Sequence, residues 1–390
     1  MSTQEANSIR LAHSSPQQAF RLLELTPEVL ELLSSGNAPT LYLKSPQTDS
    51  AAGQDAGYVN LCTSEKTFRI RQVHSSNSLY VIRPSDRNGQ QVNGDDMSMN
   101  DLNVPGTVST IAKCGSTLEL HKLDETSSAA QIMRSMIKVY DRISAEGDID
   151  MADARGQQEI TKSQKTRIKR ELFDDVPFST AECNAAWSEI GAFVHFDNDG
   201  KEVTAFRPSA RTKIDVWKRI LEGSVLQSID LERQFLANDL WKAVVGDDEE
   251  EELFPRSLFD AIVMRVAEKS GSKISSLDEQ ELRWTNLDKT VCVRWIGETY
   301  LEAYASTECS SVGRSEFIRI WKDLLPESWR NEASLDKLPE SSYKTPDPVS
   351  ICYVESESNK VKKEAGGGTT TATTAKNSRN WHERFKSQRK

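Results

Sequence analysis

The sequence has no apolar run of about 18 residues, the length that a membrane-spanning helix needs. Its first residues carry no apolar stretch of the kind found in secretion signals. Six cysteines are widely separated, with no CxxC pair and no histidine at a zinc-ligand spacing. We therefore expect reduced, scattered thiols in a protein that is not secreted and has no membrane contact.

The sequence also lacks the motifs of the common enzyme classes. It contains no glycine-rich phosphate loop, no dinucleotide-binding GxGxxG before a helix, no HExxH zinc motif and no GxSxG nucleophile elbow. The five histidines are dispersed along the chain, as expected for ordinary core or surface side chains. We therefore expect a protein with no catalytic residues, no metal and no cofactor.

Charge is distributed unevenly along the chain. Its net value of -10 argues against a protein that coats nucleic acid by bulk charge. The acidic run at 247–252 is interpreted as a solvated loop or an electrostatic partner surface. The basic run at 162–170 is a nuclear-import signal, a DNA contact or a solvated helix face. The basic tail at 376–390, with Trp381 and Phe385, either contacts DNA or is a disordered end.

The front of the chain has the pattern of a small β-unit with one helix. Thr26 precedes Pro27 as a candidate N-cap, and Leu30 and Leu33 form the apolar side of that helix. Turn-forming residues between the strand candidates predict hairpins. Because short strands bury little, we expect their edges to be covered by other chains. The strand candidates are residues 40–43, 67–71, 79–82, 107–113 and 117–122, with turns at 76–78 and 114–116.

Helical periodicity begins after residue 125 and predicts one long helix followed by a polar connector at 144–158. The spacing of its apolar residues is that of a single helix face. These residues are Ile132, Met136, Val139, Tyr140 and Ile143.

Three later segments repeat one pattern, in which a helix precedes a tight turn, a serine and a second apolar helix. Ser179, Ser257 and Ser315 are the candidate N-caps, and Glu182 would complete a capping box with Ser179. Residues 197–200 have the composition of a hairpin tip after the first segment. The apolar residues of the second and third segments have helical spacing and predict one buried face on each helix. They are Leu258, Ile262 and Val266 in the second, and Phe317, Trp321 and Leu324 in the third. The repeat indicates three diverged helix-turn-helix domains in tandem.

Basic residues in the third of these segments indicate contact with DNA, because the helix after the turn of such a domain faces a DNA groove. Lysine and arginine there would bind phosphates with little preference for sequence. Acidic residues are interleaved with them, so ordinary surface charge and protein docking stay open as alternatives. The candidate DNA-binding residues are Arg314, Arg319, Lys322, Arg330, Lys337 and Lys344.

Two consecutive stretches resemble a known family. FRLLELTPEVLELLSSGNAPTLYLKS and then LCTSEKTFRIRQVHSSNSLYVI, within residues 20–82, are similar to the opening of the sister chromatid cohesion subunit of the alternative replication factor C clamp loader. The likeness extends more loosely over VPFSTAECNAAW, LFPRSLFDAIV and the stretch from CVRWIGETYLE to RIWKDLLPESW. The acidic insert at 248–252 departs from the family pattern and would oppose DNA contact by the second helical domain.

The resemblance implies an α+β fold, in which an N-terminal β-barrel-like unit completed by partner subunits precedes three tandem winged-helix domains. It implies a nuclear subunit that links the clamp loader to leading-strand DNA polymerase epsilon and to DNA, in clamp loading or unloading, cohesion and checkpoint signalling. The implied partners are the large ATPase subunit and the small cohesion subunit of the clamp loader, the polymerase epsilon catalytic subunit, single- and double-stranded DNA and, indirectly, the sliding clamp.

The expected domain boundaries combine the resemblance with the periodicity of the chain. They are a flexible leader at 1–19, the partner-completed unit at 20–125, a helix and linker at 126–160, winged helices at 161–224, 225–286 and 287–354, and a flexible basic tail at 355–390.

Carried over by position, the partner-binding residues lie in the strand candidates of the front unit. A strand that a neighbour covers on both faces needs apolar, β-branched or aromatic side chains. The alternative is that these side chains bury only one another. They are Leu41, Tyr42, Leu43, Phe68, Ile70, Val73, Leu79, Tyr80 and Val81.

A second function class would use the same helical domains. A winged-helix transcription regulator would bind DNA with strong sequence preference, whereas an assembly subunit would bind it with little. A comparison of binding to random and to selected duplexes distinguishes the two. An enzyme is a third class, for which the sequence identifies no substrate.

Overall fold

In the computed structural model, the chain is described over residues 10–13, 17–45, 58–84, 107–123, 128–141, 160–197, 202–246, 254–268 and 284–354. The acidic run at 247–252, the tail at 355–390, the hairpin residues 198–200 and Ile143 lie outside these ranges. The fold is α+β, and its contacts divide the chain into two units. The front unit is Met1–Ile132 with Arg170–Ala186, and the rear unit is Met133–Lys169 with Trp187–Lys390.

The front unit is built on short strands around two long ones, with one helix. Its elements are β1 (Arg10–His13), β2 (Leu22–Glu24), α1 (Pro27–Ser34), β3 (Tyr42–Lys44), β4 (Val59–Cys62), β5 (Thr67–Pro84) and β6 (Thr107–Lys122). The sheet order is β1-β6-β5-β4-β3, and β2 also pairs with β6. β1 and β2 run parallel to β6, and the other pairs are antiparallel. Within the described ranges, no sheet closes into a barrel.

The long strands β5 and β6 replace the hairpins that the sequence predicts. They pair from Phe68 opposite Lys122 to Pro84 opposite Val108. The register shifts between His74 and Leu79, so residues 75–78 bulge without reversing the chain. A bulge bends a strand and accepts the same small and polar residues that turns use. The predicted turns at 76–78 and 114–116 are therefore wrong.

Helix α1 contacts the sheet through a different face from the one predicted. Leu30 is 55% exposed and Leu33 39% exposed, so the predicted apolar stripe of this helix is wrong. Residues one position apart on a helix differ by about 100° in direction, and Val29 takes the inward position instead. The front core, as we call it, consists of Val29, Leu61, Phe68 and Leu120.

Strand β1 falls within the segment predicted as a flexible leader. Its four residues pair with Thr107–Thr110 of β6, and Thr110 Oγ1 lies 2.6 Å from His13 Nδ1. Four residues without apolar alternation give no strand signal by themselves. The strand depends on a partner 97 positions away in the chain, which local sequence does not report.

The rear unit holds most of the helices and three small sheets, and it shares α2, α3 and α4 with the front unit. The elements from α2 onward are α2 (Ala129–Met136), β7 (Lys138–Tyr140), α3 (Lys162–Asp175), α4 (Thr180–Ile190), β8 (Phe193–Phe196), β9 (Val203–Pro208), α5 (Ala210–Leu226), β10 (Phe235–Leu236), α6 (Ala237–Val245), α7 (Arg256–Val266), β11 (Trp284–Thr285), α8 (Lys289–Tyr304), β12 (Val312–Gly313), α9 (Arg314–Asp323), β13 (Tyr343–Lys344) and β14 (Ser350–Tyr353). Short 3-10 helices span Glu308–Ser310, Glu327–Glu332 and Leu335–Lys337. The sheet orders are β7-β9-β8, β10-β11 and β12-β14-β13.

The long helix predicted from residue 132 ends earlier than expected. α2 stops at Met136, and Val139 and Tyr140 belong to strand β7, which runs parallel to β9. Val139 is exposed and Tyr140 is buried, as the alternation of a strand requires. The predicted single helix is therefore wrong beyond Met136. The apolar residues of α2 and of the following strand β7, taken together, have the spacing of one helix face.

The capping box predicted at the start of α4 is confirmed. The Glu182 N–H donates to Ser179 Oγ at 3.2 Å, and the Ser179 N–H donates to Glu182 Oε2 at 3.1 Å. Each bond satisfies a backbone N–H that the helix itself leaves without a partner.

The other two predicted serine caps are wrong. Pro255 and Gly313 are the N-cap residues of α7 and α9, so Ser257 and Ser315 already lie in the first turns of these helices. The buried faces predicted for the same helices are confirmed, because apolar periodicity reports a face more reliably than a boundary. Their members are Leu258, Ile262 and Val266 on α7, and Phe317, Trp321 and the following Leu324 on α9.

Buried aromatic residues tie α5, α8 and α9 into one core in the rear unit. Trp217 Nε1 donates to the Leu324 carbonyl at 2.7 Å, and Trp321 Nε1 donates to the Val293 carbonyl at 2.9 Å. Both indoles therefore keep a hydrogen-bond partner while their rings are removed from water. Gly297 of α8 lies against Trp321, because a Cβ at this position would stand 2.7 Å from two of the ring carbons.

Gly297→Ala is expected to lower the free energy of unfolding by about 1–3 kcal/mol, because overpacking against Trp321 outweighs the better helix propensity of alanine. Urea unfolding of the full-length chain measures the change. Thr290→Ala, at an exposed position of the same helix, is the control and should leave stability unchanged or slightly higher. Equal stability of the two variants would contradict the close packing.

Candidate partner and nucleic-acid interfaces

Strand β3 forms one edge of the front sheet. Tyr42 is 54% exposed and Leu43 is 67% exposed. Neighbouring residues of a strand point to opposite faces of the sheet. The edge strand is therefore apolar and open to solvent on both faces in the chain alone.

A second exposed apolar group lies on the half of β5 and β6 beyond the bulge. Among the described strands, only β1 pairs with this half of the long strands, and the Gln18 N–H also donates to the Ile111 carbonyl at 2.8 Å. Leu79, Tyr80 and Ile82 of β5 are exposed there, as is Leu11 of β1. A narrow ribbon of this kind is marginally stable in water unless something packs against it.

We call the exposed apolar side chains of the front unit the apolar front. A contiguous apolar surface on a soluble protein usually marks an interaction site, whereas scattered single residues do not. Here the members lie on the edge strand and its neighbour β4, on the ribbon with β1, on the outer side of α1 and at Phe20. They are Leu11, Phe20, Leu30, Leu33, Tyr42, Leu43, Val59, Leu79, Tyr80 and Ile82.

The predicted partner-binding residues divide into buried and accessible groups. Phe68 is 2% exposed within the front core, and Leu41 and Ile70 pack against that core. These three side chains are thus covered largely by their own chain. The accessible members are Tyr42, Leu43, Val73, Leu79, Tyr80 and Val81.

Six members of the apolar front were not selected from the sequence. Val59 lies in β4, which is not among the strand candidates. Leu30 and Leu33 had been assigned to the inner face of α1, and Leu11 to the leader. Phe20 and Ile82 stand at the limits of the quoted motifs, where no pattern distinguished an inward from an outward side chain. Only Ile82 carried a usable signal, because it continues the apolar run Leu79–Val81.

The candidate DNA-binding residues are all accessible in the rear unit. On α9, Arg314, Arg319 and Lys322 are exposed, while Phe317 and Trp321 face the core. Arg330 is exposed on the 3-10 helix Glu327–Glu332, and the remaining two lysines lie further along the chain. The structure thus brings three of the six onto one helix.

Acidic side chains offset several of these charges. Hydrogen bonding to Glu308 raises the pKa of Lys344, which stays protonated. Arg314 donates to the Pro348 carbonyl at 3.3 Å, a neutral partner that does not offset its charge. Exposed ion pairs contribute only about 0–1 kcal/mol and exchange readily for phosphate. The pairs are Arg319–Asp323, Lys337–Glu332 and Lys344–Glu308.

The basic run at 162–170 forms the first part of α3. Lys162 and Arg167 are exposed there, and Lys169 Nζ lies 5.6 Å from the centre of the Trp187 ring. A cation above an aromatic face is attracted by the ring electrons, so this lysine is held by its own chain. The three interpretations of the run stay open.

Burial makes the thiols of Cys62, Cys183, Cys292 and Cys352 unreactive. Removal from water raises the pKa of each, and that of Cys183 reaches about 12. A thiolate is the nucleophilic form of cysteine, so these four remain protonated thiols near neutral pH.

Among the described helices, none is both long and apolar enough to cross a membrane.

A comparison with curated proteins gives no match. A family model with the description Sister chromatid cohesion protein Dcc1 matches residues 20–358, a span that includes the apolar front from Phe20 onward and all six candidate DNA-binding residues. The family predicted from the sequence is confirmed by this match. The chain therefore belongs to the Dcc1 family of sister chromatid cohesion proteins and has a role in sister chromatid cohesion.

Proposed function

We propose that the chain is a non-catalytic nuclear subunit of an alternative replication factor C-like clamp loader. It links that clamp loader to the catalytic subunit of DNA polymerase epsilon and to DNA, and acts in clamp loading or unloading and in checkpoint signalling. The apolar front carries the proposal, because its exposure is costly for a free monomer and useful for a permanent subunit.

The front sheet is completed by the large ATPase subunit and the small cohesion subunit, which together close it into a barrel-like module. Support comes from edge strand β3, which is apolar on both faces. An uncovered edge of this kind promotes aggregation. Burial of each large apolar side chain stabilises the assembly by about 1.5–3 kcal/mol.

The helical elements form three winged-helix domains in tandem. Element order supports this assignment: α8, β12, α9 and the antiparallel pair β13–β14 follow the plan helix, strand, helix, hairpin. The same plan accommodates α5, β10, α6, α7 and β11 as the second domain. We place α5 in this second domain, because it packs against α6 and α7 of that domain, although the sequence put residues 210–224 in the first.

DNA contact is assigned to α9 of the third domain. Its three basic side chains are exposed, and their ion pairs are weak enough to be replaced by phosphates of single- or double-stranded DNA. The start of α4 is a poor alternative, because Glu182 places a carboxylate there and the Ser179 N–H is already bonded to Thr67 Oγ1 at 2.7 Å.

Tyr80→Asp is expected to prevent co-purification of the two companion subunits, because a buried, unpaired carboxylate is strongly unfavourable in an apolar interface. The measurement is the yield of the three-protein complex after co-expression and affinity purification. Val349→Asp, at an exposed apolar position of the rear unit, is the matched control and should leave the yield unchanged. Normal yield with Tyr80→Asp would show that the apolar front does not bind the companion subunits.

Joint replacement of Arg314, Arg319 and Lys322 by glutamate is expected to weaken DNA binding by about tenfold or more and to reduce the slope of log affinity against log salt by up to about three. Fluorescence anisotropy with random-sequence duplexes at several salt concentrations measures both quantities.

The control for this experiment is the same change of charge on α5, made at the exposed Arg211 and Arg219 and at Lys218. It should alter affinity only slightly. Equal effects of the two triple variants would mean that overall charge, and not the surface of α9, determines binding.

A further inference from the structure

Lys44 is the last residue of edge strand β3, and its side chain reaches the turn between α3 and α4. Its Nζ lies 2.7 Å from the Phe173 carbonyl oxygen, 3.2 Å from that of Phe178 and 3.4 Å from that of Val176. An ammonium group has three N–H donors and no acceptor. All three donors of Lys44 are therefore directed at backbone carbonyls of one turn.

The position of this ammonium is electrostatically favourable. Phe173 lies in the last turn of α3, where carbonyl groups have no partner within the helix and the helix dipole is negative. Val176 and Phe178 are buried, and their carbonyls also accept the Phe178 N–H at 2.7 Å and the Cys183 thiol at 3.8 Å, so Lys44 adds a charged donor to each. One cation thus bonds to three carbonyls, one at the negative end of α3 and two in the turn that follows it.

Neighbouring strands hold the same turn through further polar contacts. Asn60 of β4 donates to the Pro177 carbonyl at 2.7 Å. Thr67 of β5 accepts from the Ser179 N–H at 2.7 Å and donates to the Glu182 carboxylate. Strands β3, β4 and β5 therefore all bind the segment 173–182, and Lys44 is the contact that belongs to the edge strand.

Few contacts other than that of Lys44 hold strand β3 in place. It is three residues long, it pairs only with β4 among the described strands, and two of its side chains face solvent. Short edge segments with few buried contacts open locally at low cost. A partner that pairs with a disordered strand must first order it, which weakens binding, whereas a strand that is already ordered avoids that loss.

We propose that Lys44 is a positioning residue for assembly: it locks β3 onto the α3–α4 turn, so that the outer edge of β3, with Tyr42 and Leu43, is presented as a preformed docking strand. The ligand is an extended strand of another polypeptide that carries apolar side chains on both faces. This inference rests on the proposed function, because it assumes that companion subunits complete the sheet.

Lys44→Met tests the lock, because methionine keeps an unbranched apolar stem and removes the three donors. Hydrogen exchange of the full-length chain should accelerate by about tenfold to a hundredfold at the amides of β3 and β4, as expected for loss of hydrogen bonds from a charged donor. The dissociation constant for the companion subunits should rise by about tenfold.

Two further variants separate the lock from general effects of losing a lysine. Lys44→Arg keeps the charge and the donors, and should restore most of the protection and affinity. Lys66→Met removes an exposed lysine that pairs with Glu28 at 3.1 Å beside the same sheet, and should change neither quantity.

The proposal is overturned if the β3 amides are unprotected in the unaltered chain, or exchange at equal rates in the unaltered and Lys44→Met chains. It is also overturned if exchange accelerates while affinity for the companion subunits is unchanged. Failure of the unaltered chain to bind those subunits would instead overturn the proposed function, and the exchange rates would still show whether Lys44 holds β3.

Discussion

The proposed role of this chain depends on the exposed apolar side chains of its front unit. In the described part of the front unit, ten large apolar residues face solvent, on the edge strand, β4, the narrow ribbon with β1, α1 and at Phe20. Covering them would stabilise an assembly by on the order of 10 kcal/mol before the entropic costs of association. Such a surface is compatible with a permanent subunit and unfavourable for a protein that acts alone. The Dcc1 family match and the proposed clamp-loader role both agree with that requirement.

The rear unit has a larger core that is closed by its own residues, although it also exposes apolar side chains such as Val225, Leu226 and Trp284. Trp217 and Trp321 are fully buried with their indole N–H groups bonded to carbonyls, and Phe317 stacks on Trp321. A core of this kind can hold α9 and its basic residues in a fixed arrangement. In the proposed function, assembly uses the front unit and DNA contact uses the rear unit, so the two roles depend on different parts of the chain.

Sequence periodicity predicted the buried faces of α7 and α9 and the Ser179–Glu182 capping box, because each is encoded within a few residues. It failed where distant pairing decides the outcome, as in β1, and where a bulge and a turn share one composition, as at residues 76–78. Tyr42 and Phe68 were predicted together as partner-binding residues, but apolar alternation does not reveal which face the chain covers by itself. Lys44 carried no local signal, because its nearest carbonyl belongs to a residue 129 positions away.

Calorimetry of assembly tests most directly whether other polypeptides complete the front sheet. The full-length chain would be titrated at several temperatures with the co-expressed pair of companion subunits, the large ATPase subunit and the small cohesion subunit. Tight binding is expected, with a large negative change in heat capacity, which marks the burial of apolar surface. Absence of binding by a stable, monomeric chain, or binding with a heat-capacity change near zero, would contradict it.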